Sequence, residues 1–353
     1  MTSQQVLIVG GYGIVGAQAA RLIATRNPTV EIWIGGRSIR HANTEAAQIP
    51  HASGVAIDLD TLDPLSVLTE MPSVILAAAN DDQDHLLLSA ARRGIPIIDI
   101  TRWTERMHRA IDRLKGEEMT APVILSSSWM AGVPASVAAS AVAELGGEQR
   151  IEIDILYAMK DKAGPNSIDY VDRLNIPFTV MIDGAWRNAK TFSDPKSVRF
   201  SNGRVFKCFR FDTPDQFTYV DTLGATTVAS RMSYDDANVL RFIRFVVGSG
   251  IWSLLPRKTR RALIYNPGAG APHEVIVTVT GQNGQKRISV IDPLGQTHMT
   301  AVGATVQVER VLGLRERATP PDGISFPEAA TDHELGIKAL GEMGISIVAD
   351  SKK

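Results

Sequence analysis

One segment constrains the fold more than any other: Val6-Leu7-Ile8-Val9-Gly10-Gly11-Tyr12-Gly13-Ile14-Val15-Gly16. An apolar strand, Val6–Val9, runs directly into a GxGxxG pattern. That pattern opens a helical stretch, Ile14–Arg26. In this context the glycines have separate duties: Gly11 for the tight turn, Gly13 for close approach of a pyrophosphate, and Gly16 for close packing of helix on strand. The phosphates would meet the helix N-terminus at Gly13, Ile14 and Val15, where backbone amides and the helix dipole favour negative charge.

The chain then alternates short apolar runs with helical patterns up to about residue 145. Strands are expected at Glu31–Ile34, Gly54–Ile57, Ser73–Ala78, Ile95–Ile98 and Val123–Ser126, with a helix at Asp82–Arg93. Runs of Val, Ile, Leu and Ala without polar alternation suit parallel strands covered on both faces.

The end of the second strand reads the cofactor. A carboxylate there would hold the ribose hydroxyls of NAD. This chain has Gly35-Gly36-Arg37-Ser38-Ile39-Arg40 instead. Arg37 can stack on adenine and pair with a 2′-phosphate, and Ser38 adds a donor, so NADP(H) is expected. A solvated helix start is the plainer reading of Arg37 and Arg40. Further contacts are expected at carboxyl ends of strands: Asp58 after the third, Ala78, Ala79 and Asn80 after the fourth, and Asp99 and Thr101 after the fifth. Asp58 serves equally well as a helix cap.

After Leu145 the pattern becomes strand-rich, with runs at Ile151–Ala158, Phe178–Ile182, Glu274–Thr280 and Arg287–Ile291. Asn202-Gly203 and Asn283-Gly284 are turn signals, the latter between two strands. The expected class is α/β: an N-terminal Rossmann-type parallel sheet with an inserted mixed α+β second domain. The expected boundaries are 1–130 for the NADP-binding domain, 131–320 for a substrate and dimerisation domain, and 321–353 for a segment returning to the first. That last segment carries a helix at Asp332–Met343 and a strand at Ile345–Val348.

Val239–Leu255 is apolar and leads into Arg257-Lys258-Thr259-Arg260-Arg261. It is short for a span and contains Arg241 and Arg244. It reads as a buried helix or one at a subunit interface, with membrane-surface contact as the less favoured alternative. A homodimer through the second domain is expected from it. With 37 Lys+Arg against 38 Asp+Glu there is no basic excess for nucleic acid. The single cysteine, Cys208, excludes an internal disulfide framework. The free thiol and a start without a basic leader suit a cytoplasmic protein.

Taken together, GGYGIVG, GGRS, the Ile57-Asp58 pair, AAAN, IIDIT, the loop Ser128–Pro134 and the late GISFPE at 323–328 resemble the saccharopine dehydrogenase-like family, in its saccharopine reductase and trans-acting enoyl reductase branch. The resemblance is firm over 1–135 and about 290–348. It implies a Rossmann domain, an inserted domain for substrate and dimerisation, and a C-terminal return. It also places the Trp129–Pro134 loop over a nicotinamide.

No Tyr-xxx-Lys pair is present, and none of the seven histidines shares a metal-binding spacing with another, so no metal is expected. Catalytic candidates are positional: Asp99, with Thr101 and Arg102 beside it, and Lys160, flanked by Tyr157, Asp161 and Lys162 before the Gly164-Pro165 turn. A solvated turn is the plainer reading of the lysines, and a structural hydrogen-bonder that of Asp99. His273 is expected to play no catalytic part. A small-molecule substrate is expected to meet the cofactor between the domains. Three functions follow: an NADP(H)-dependent reductase of a small amino- or imino-acid type substrate, an enoyl reductase of a lipid or polyketide, and a cofactor-binding accessory or sensor protein without turnover.

Overall fold

Val6, Leu7, Ile8 and Val9 are all buried, so the strand they form needs cover on both faces. The computed structural model describes residues 4–162, 170, 172–264 and 268–350. Contacts divide it into two units: residues up to Val133 with Thr300–Met343, and Pro134–Met299 with the residues from Gly344.

Element numbers follow the chain. The first unit holds β1 (Gln5–Val9), α1 (Ile14–Arg26), β2 (Glu31–Gly36), α2 (Ile39–Ala46), β3 (Ala52–Ala56), β4 (Val74–Ala77), α3 (His85–Arg92), β5 (Ile97–Asp99), α4 (Thr104–Leu114) and β6 (Pro122–Leu125). The C-terminal portion adds most of α10 (Gln296–Val311), β15 (Gly323–Ser325) and α11 (His333–Glu342). The sheet order is β15-β6-β5-β4-β1-β2-β3, every pair parallel. Strand order reverses at β1, where such sheets open a crevice at their carboxyl ends. The core joins Val6, Ile8, Ile32, Ile34, Val74, Leu76, Ile98 and Ile124 to Ala19, Ala20 and Ile23 of α1 and Ala301, Ala304 and Val308 of α10.

The second unit is built on a seven-stranded mixed sheet, β10-β11-β12-β7-β13-β14-β16. Its strands are β7 (Gln149–Tyr157), β10 (Lys196–Arg199), β11 (Val205–Arg210), β12 (Ala225–Tyr234), β13 (His273–Gly281), β14 (Gly284–Asp292) and β16 (Ser346–Ala349). Only β7 and β12 run parallel; the other neighbours are antiparallel. A separate hairpin pairs β8 (Phe178–Ile182) with β9 (Ala185–Ala189). The helices are α6 (Asp215–Leu223), α7 (Ala237–Gly248), α8 (Ile251–Leu254) and α9 (Arg257–Ile264). The division falls inside α5 (Trp129–Leu145).

Three expectations change. The second unit ends at Met299 rather than 320, because α10 buries Ala301, Ala304 and Val308 in the core of the first. The C-terminal return is partial: β15 pairs with β6, but β16 pairs with β14 and so belongs to the second sheet. The apolar stretch 239–255 is two helices broken at Gly250, whose φ of 78° ends α7, and only one face of it is buried. The Gly164-Pro165 turn lies outside the described residues.

A buried ion pair fastens the C-terminal portion to the first unit. Arg26 Nε lies 2.8 Å from Glu309 Oε1, and Asn27 Nδ2 donates to the same oxygen at 3.0 Å. Glu309 is fully buried. Glu309→Ala should leave the Asn27 amide without its acceptor and Arg26 with only its partly exposed partner Glu342, 3.1 Å away. It should lower stability by about 3 kcal/mol, read as the urea midpoint of tryptophan fluorescence.

Candidate functional site

The glycine loop is a backbone device. Gly10, not Gly11, takes the left-handed conformation, with φ 88°. A Cβ there would lie 2.9 Å from the backbone of Ala78 and Ala79, so the turn rests directly on the end of β4. Gly10 and Gly11 both donate to the Gly35 carbonyl, at 2.8 and 3.1 Å, which ties the turn to β2 as well. A Cβ on Gly16 would lie 2.3 Å from the Gly10 carbonyl oxygen, so only glycine lets α1 start this close to the turn. The doubled glycine at 10–11 was the sequence signal for the extra turn residue.

Gly13 caps α1 in extended conformation, with no side-chain cap and no acidic residue in the first turn. Gly13 and Ile14 are exposed and Val15 is half-buried. A helix start left uncapped by side chains and open to solvent fits a phosphate or pyrophosphate.

At the tip of β2 the Tyr12 ring lies so close over Gly36 that a Cβ there would sit 2.4 Å from it. Tyr12 Oη accepts from the Ser38 amide at 3.3 Å, and its ring meets His41 edge-on at 5.7 Å. Ser38 Oγ accepts from His41 N at 3.3 Å, so it caps α2, a duty the sequence reading did not give it. Arg37 is exposed, and no carboxylate is paired with it among the described residues. Asp58 Oδ1 accepts from Asp60 N at 3.1 Å, closing a turn after β3, and the residue is exposed. Ala78 N donates to the Val9 carbonyl at 2.8 Å, and Ala78, Ala79 and Asn80 are half-buried beside the glycine turn.

The end of β5 is occupied by a buried ionic cluster. Asp99 Oδ1 accepts from Thr101 N and Oγ1, both at 2.8 Å, and Oδ2 from Arg102 Nε at 2.8 Å. Arg102 also pairs with Asp84, and all three charged groups are buried. Burial alone would lower the Arg102 pKa, but the Asp99 and Asp84 carboxylates hold it above its ordinary value. Burial pushes the Asp81 carboxyl up, against the amides of His85, Leu86 and Leu87 that it accepts while capping α3. Both Asp99 oxygens thus accept hydrogen bonds from Thr101 and Arg102, an arrangement that suits a structural hydrogen-bonder.

Three serines follow β6. Ser126 Oγ donates to the Ala131 carbonyl at 2.9 Å. Ser127 Oγ donates to the Asp99 carbonyl at 3.0 Å and accepts from Arg102 N at 2.9 Å. The Ser128 hydroxyl is buried, with no hydrogen-bond partner among the described residues. Beyond it, Met130, Ala131 and Gly132 form a left-handed turn, with φ of 51°, 50° and 86°.

In the second unit, Lys160 is exposed on the bend after β7. The bend is held by Gly270 N donating to its carbonyl at 2.9 Å and by Asp161 Oδ2 accepting from Gln296 N at 2.9 Å. His273 is fully buried, 3.5 Å from Asp161. The sequence reading missed a pair here: His298 Nδ1 lies 2.7 Å from Asp292 Oδ2, with Asp292 buried and the imidazole partly exposed. Their spacing of six residues is not a known dyad signature, so only the structure brings them together. Such a pair can hold and move a proton. No group of side chains suited to a metal ion occurs among the described residues.

The chain thus has a Rossmann-like parallel sheet followed by a mixed second sheet, a fold it shares with solved structures of two enzymes. A saccharopine dehydrogenase (L-Glu forming) from Saccharomyces cerevisiae superposes with a TM-score of 0.69 at 12% identity, covering 99% of this chain and 100% of that one. The homospermidine synthase of Legionella pneumophila, solved in complex with NAD, gives a TM-score of 0.68 at 12% identity, with 100% and 92% covered. No family model matches the sequence, and no curated protein matches it.

Asp99→Asn should keep the Thr101 contacts but leave Arg102 facing Asp84 alone. It should lower stability by about 3 kcal/mol, as breaking a buried ion pair does. Denaturant titration followed by circular dichroism checks this; an unchanged midpoint would return Asp99 to the catalytic candidates.

Proposed function

We propose that this chain is an NADP(H)-dependent oxidoreductase that transfers a hydride to a small amino- or imino-acid type substrate. One observation carries the reading. At the carboxyl edge of the parallel sheet, the uncapped start of α1 lies beside a β2 tip that presents Arg37 and no carboxylate. Pyrophosphate would lie at Gly11, Gly13, Ile14, Val15 and Gly16, and a 2′-phosphate at Arg37 and the Ser38 hydroxyl. Asp58, Ala78, Ala79, Asn80 and Thr101 would border the rest of the cofactor, which supplies the hydride when bound. Ser128 would offer its buried hydroxyl to the nicotinamide end, since an unpaired buried hydroxyl costs about 1–3 kcal/mol and a ligand would relieve that.

Likeness to saccharopine dehydrogenase supports the substrate class. His298, oriented by Asp292, is the best-placed proton donor of the second unit, and exposed Lys160 is a candidate for holding a carboxylate. The cationic side chains on the second sheet do not form a free anion site. Lys196, Arg210 and Arg231 are paired with Glu152, Asp154 and Asp194 at 2.8–3.1 Å. A lipid enoyl substrate is the second reading, favoured by exposed Phe242 and Phe245.

Isothermal titration should show NADPH binding more tightly than NADH. Arg37→Ala should erase most of that preference, removing a charge-assisted contact of about 1.5–3 kcal/mol. Equal affinities in the unmutated protein would remove the NADP(H) assignment. Ser128→Ala should weaken NADPH about tenfold and leave 2′-phospho-ADP-ribose, which lacks the nicotinamide, within about twofold. Lys160→Ala and His298→Gln should lower turnover with NADPH affinity kept within about twofold, since both lie on the substrate side.

A further inference from the structure

Helices α7 and α8 bury one face and leave the other bare. Leu240, Ile243, Val246 and Trp252 point into the second unit and are buried. Phe242, Phe245, Ile251 and Leu254 are 52, 67, 42 and 83% exposed, four large apolar side chains within thirteen residues. Phe242 and Phe245 lie three apart on α7, so they share a face. Packing against the described residues leaves these four side chains largely open.

The charge around them is one-sided. Between Ala237 and Ile264 there are six cations, Arg241, Arg244, Arg257, Lys258, Arg260 and Arg261, and no acid, whereas the rest of the chain carries seven more acids than bases. Arg257, Arg260 and Arg261 all approach Asp172, at 2.6, 3.9 and 2.9 Å. Arg244 stacks 3.9 Å over the Phe209 ring, and Arg241 bonds to Ala237 O and Asn238 Oδ1, with no acid paired to it among the described residues. Lys258 is exposed. The acids just ahead, Asp235 and Asp236, accept backbone amides of Met159, Asn238 and Val239. The face is therefore apolar at its centre and net positive around it.

We propose that this face docks on an anionic lipid surface, with Phe242, Phe245, Ile251 and Leu254 entering the headgroup region and the cations meeting lipid phosphates. Short amphipathic helices with aromatic and leucine tips and basic flanks bind bilayers in the interfacial plane. Each cation near an anionic surface adds to the attraction within a Debye length. A second copy of the chain is the poorer partner, because a two-fold contact sets the same patch against itself and brings six cations against six. Crossing the bilayer is not part of the proposal: no described helix is long and apolar enough for that.

Vesicle co-sedimentation of the full chain tests this. The protein should pellet with phosphatidylcholine vesicles containing about 30% phosphatidylserine, and several-fold less with phosphatidylcholine alone. Raising salt from about 0.1 to about 0.5 M should weaken binding. The double variant Phe242→Ser/Phe245→Ser should bind anionic vesicles at least about tenfold more weakly while keeping the circular dichroism spectrum of the parent. Lys258→Glu with Arg257→Glu should do the same through charge. The proposal is overturned by failure to pellet with anionic vesicles at about 0.1 M salt, or by full binding of both variants. It is also overturned if light scattering gives twice the chain mass for the parent and a single chain for the double variant, which would assign the face to self-association.

Discussion

The carboxyl edge of the parallel sheet depends on one guanidinium. Arg102 reaches Asp84 after β4 and Asp99 at the end of β5, and its backbone amide reaches Ser127 after β6. Three neighbouring strand ends are thereby tied by one residue. The arrangement is costly to desolvate; the two carboxylates offset that cost, and the Thr101 amide and hydroxyl satisfy the remaining Asp99 oxygen, while Arg102 Nη2 has no hydrogen-bond partner among the described residues. Arg109 and Arg113 add a second cationic layer to Asp84 at 3.1 and 3.3 Å. Strand ends held this way are rigid supports. The loops they carry, rather than the cluster itself, are what remains available to a ligand.

The N-terminal sheet was largely legible in the sequence because its information is local. Each apolar run is bounded by turn residues, and α1 and β8 have the bounds read from the sequence. The glycine turn was legible for the same reason: its backbone duties lie within seven residues. What the sequence did not show depends on contacts distant along the chain. Gly10 takes the turn because the ends of β2 and β4 crowd it, and neither neighbour is visible in GxGxxG. Asp99 looked like a candidate acid because Arg102 beside it gives no hint of Asp84 eighteen residues back. The last strand reads as a short apolar run, and nothing in it says which sheet it joins; its partner β14 is settled only by register, Ile288 to Ala349 through Ile291 to Ser346.

The second unit handles charge in two ways, and the contrast carries meaning. On its sheet, Lys196, Arg210 and Arg231 are matched one for one by Glu152, Asp154 and Asp194. Matched charges of that kind fix strands beside each other without leaving a field. From α7 to α9 the segment itself carries six cations and no acid, and three of the cations gather at Asp172. A fold that balances its interior charges this closely leaves the outer imbalance as a surface property, one that acts at a distance on whatever approaches.

The left-handed turn at Met130, Ala131 and Gly132 explains why the C-terminal portion returns to the first unit. Non-glycine residues in this conformation cost about 1–2 kcal/mol each. The turn must therefore be held from outside. Gly303 of α10 lies so close that a Cβ would sit 2.6 Å from the Met130 carbonyl and 2.7 Å from that of Ala131. Thr300 Oγ1 reaches Met130 Sδ at 3.2 Å. Pro327 fills the space against Gly132, where a Cβ would lie 2.4 Å from its ring. Ser126 Oγ closes the turn from β6. Two segments remote in sequence, 300–303 and 327, thus shape the backbone next to the unpaired Ser128 hydroxyl. Strain is thus held at a strand end, close in sequence to an unsatisfied hydroxyl, by packing that over-determines the backbone there. It also accounts for the late GISFPE segment, which the sequence marked as distinctive without revealing what its proline touches.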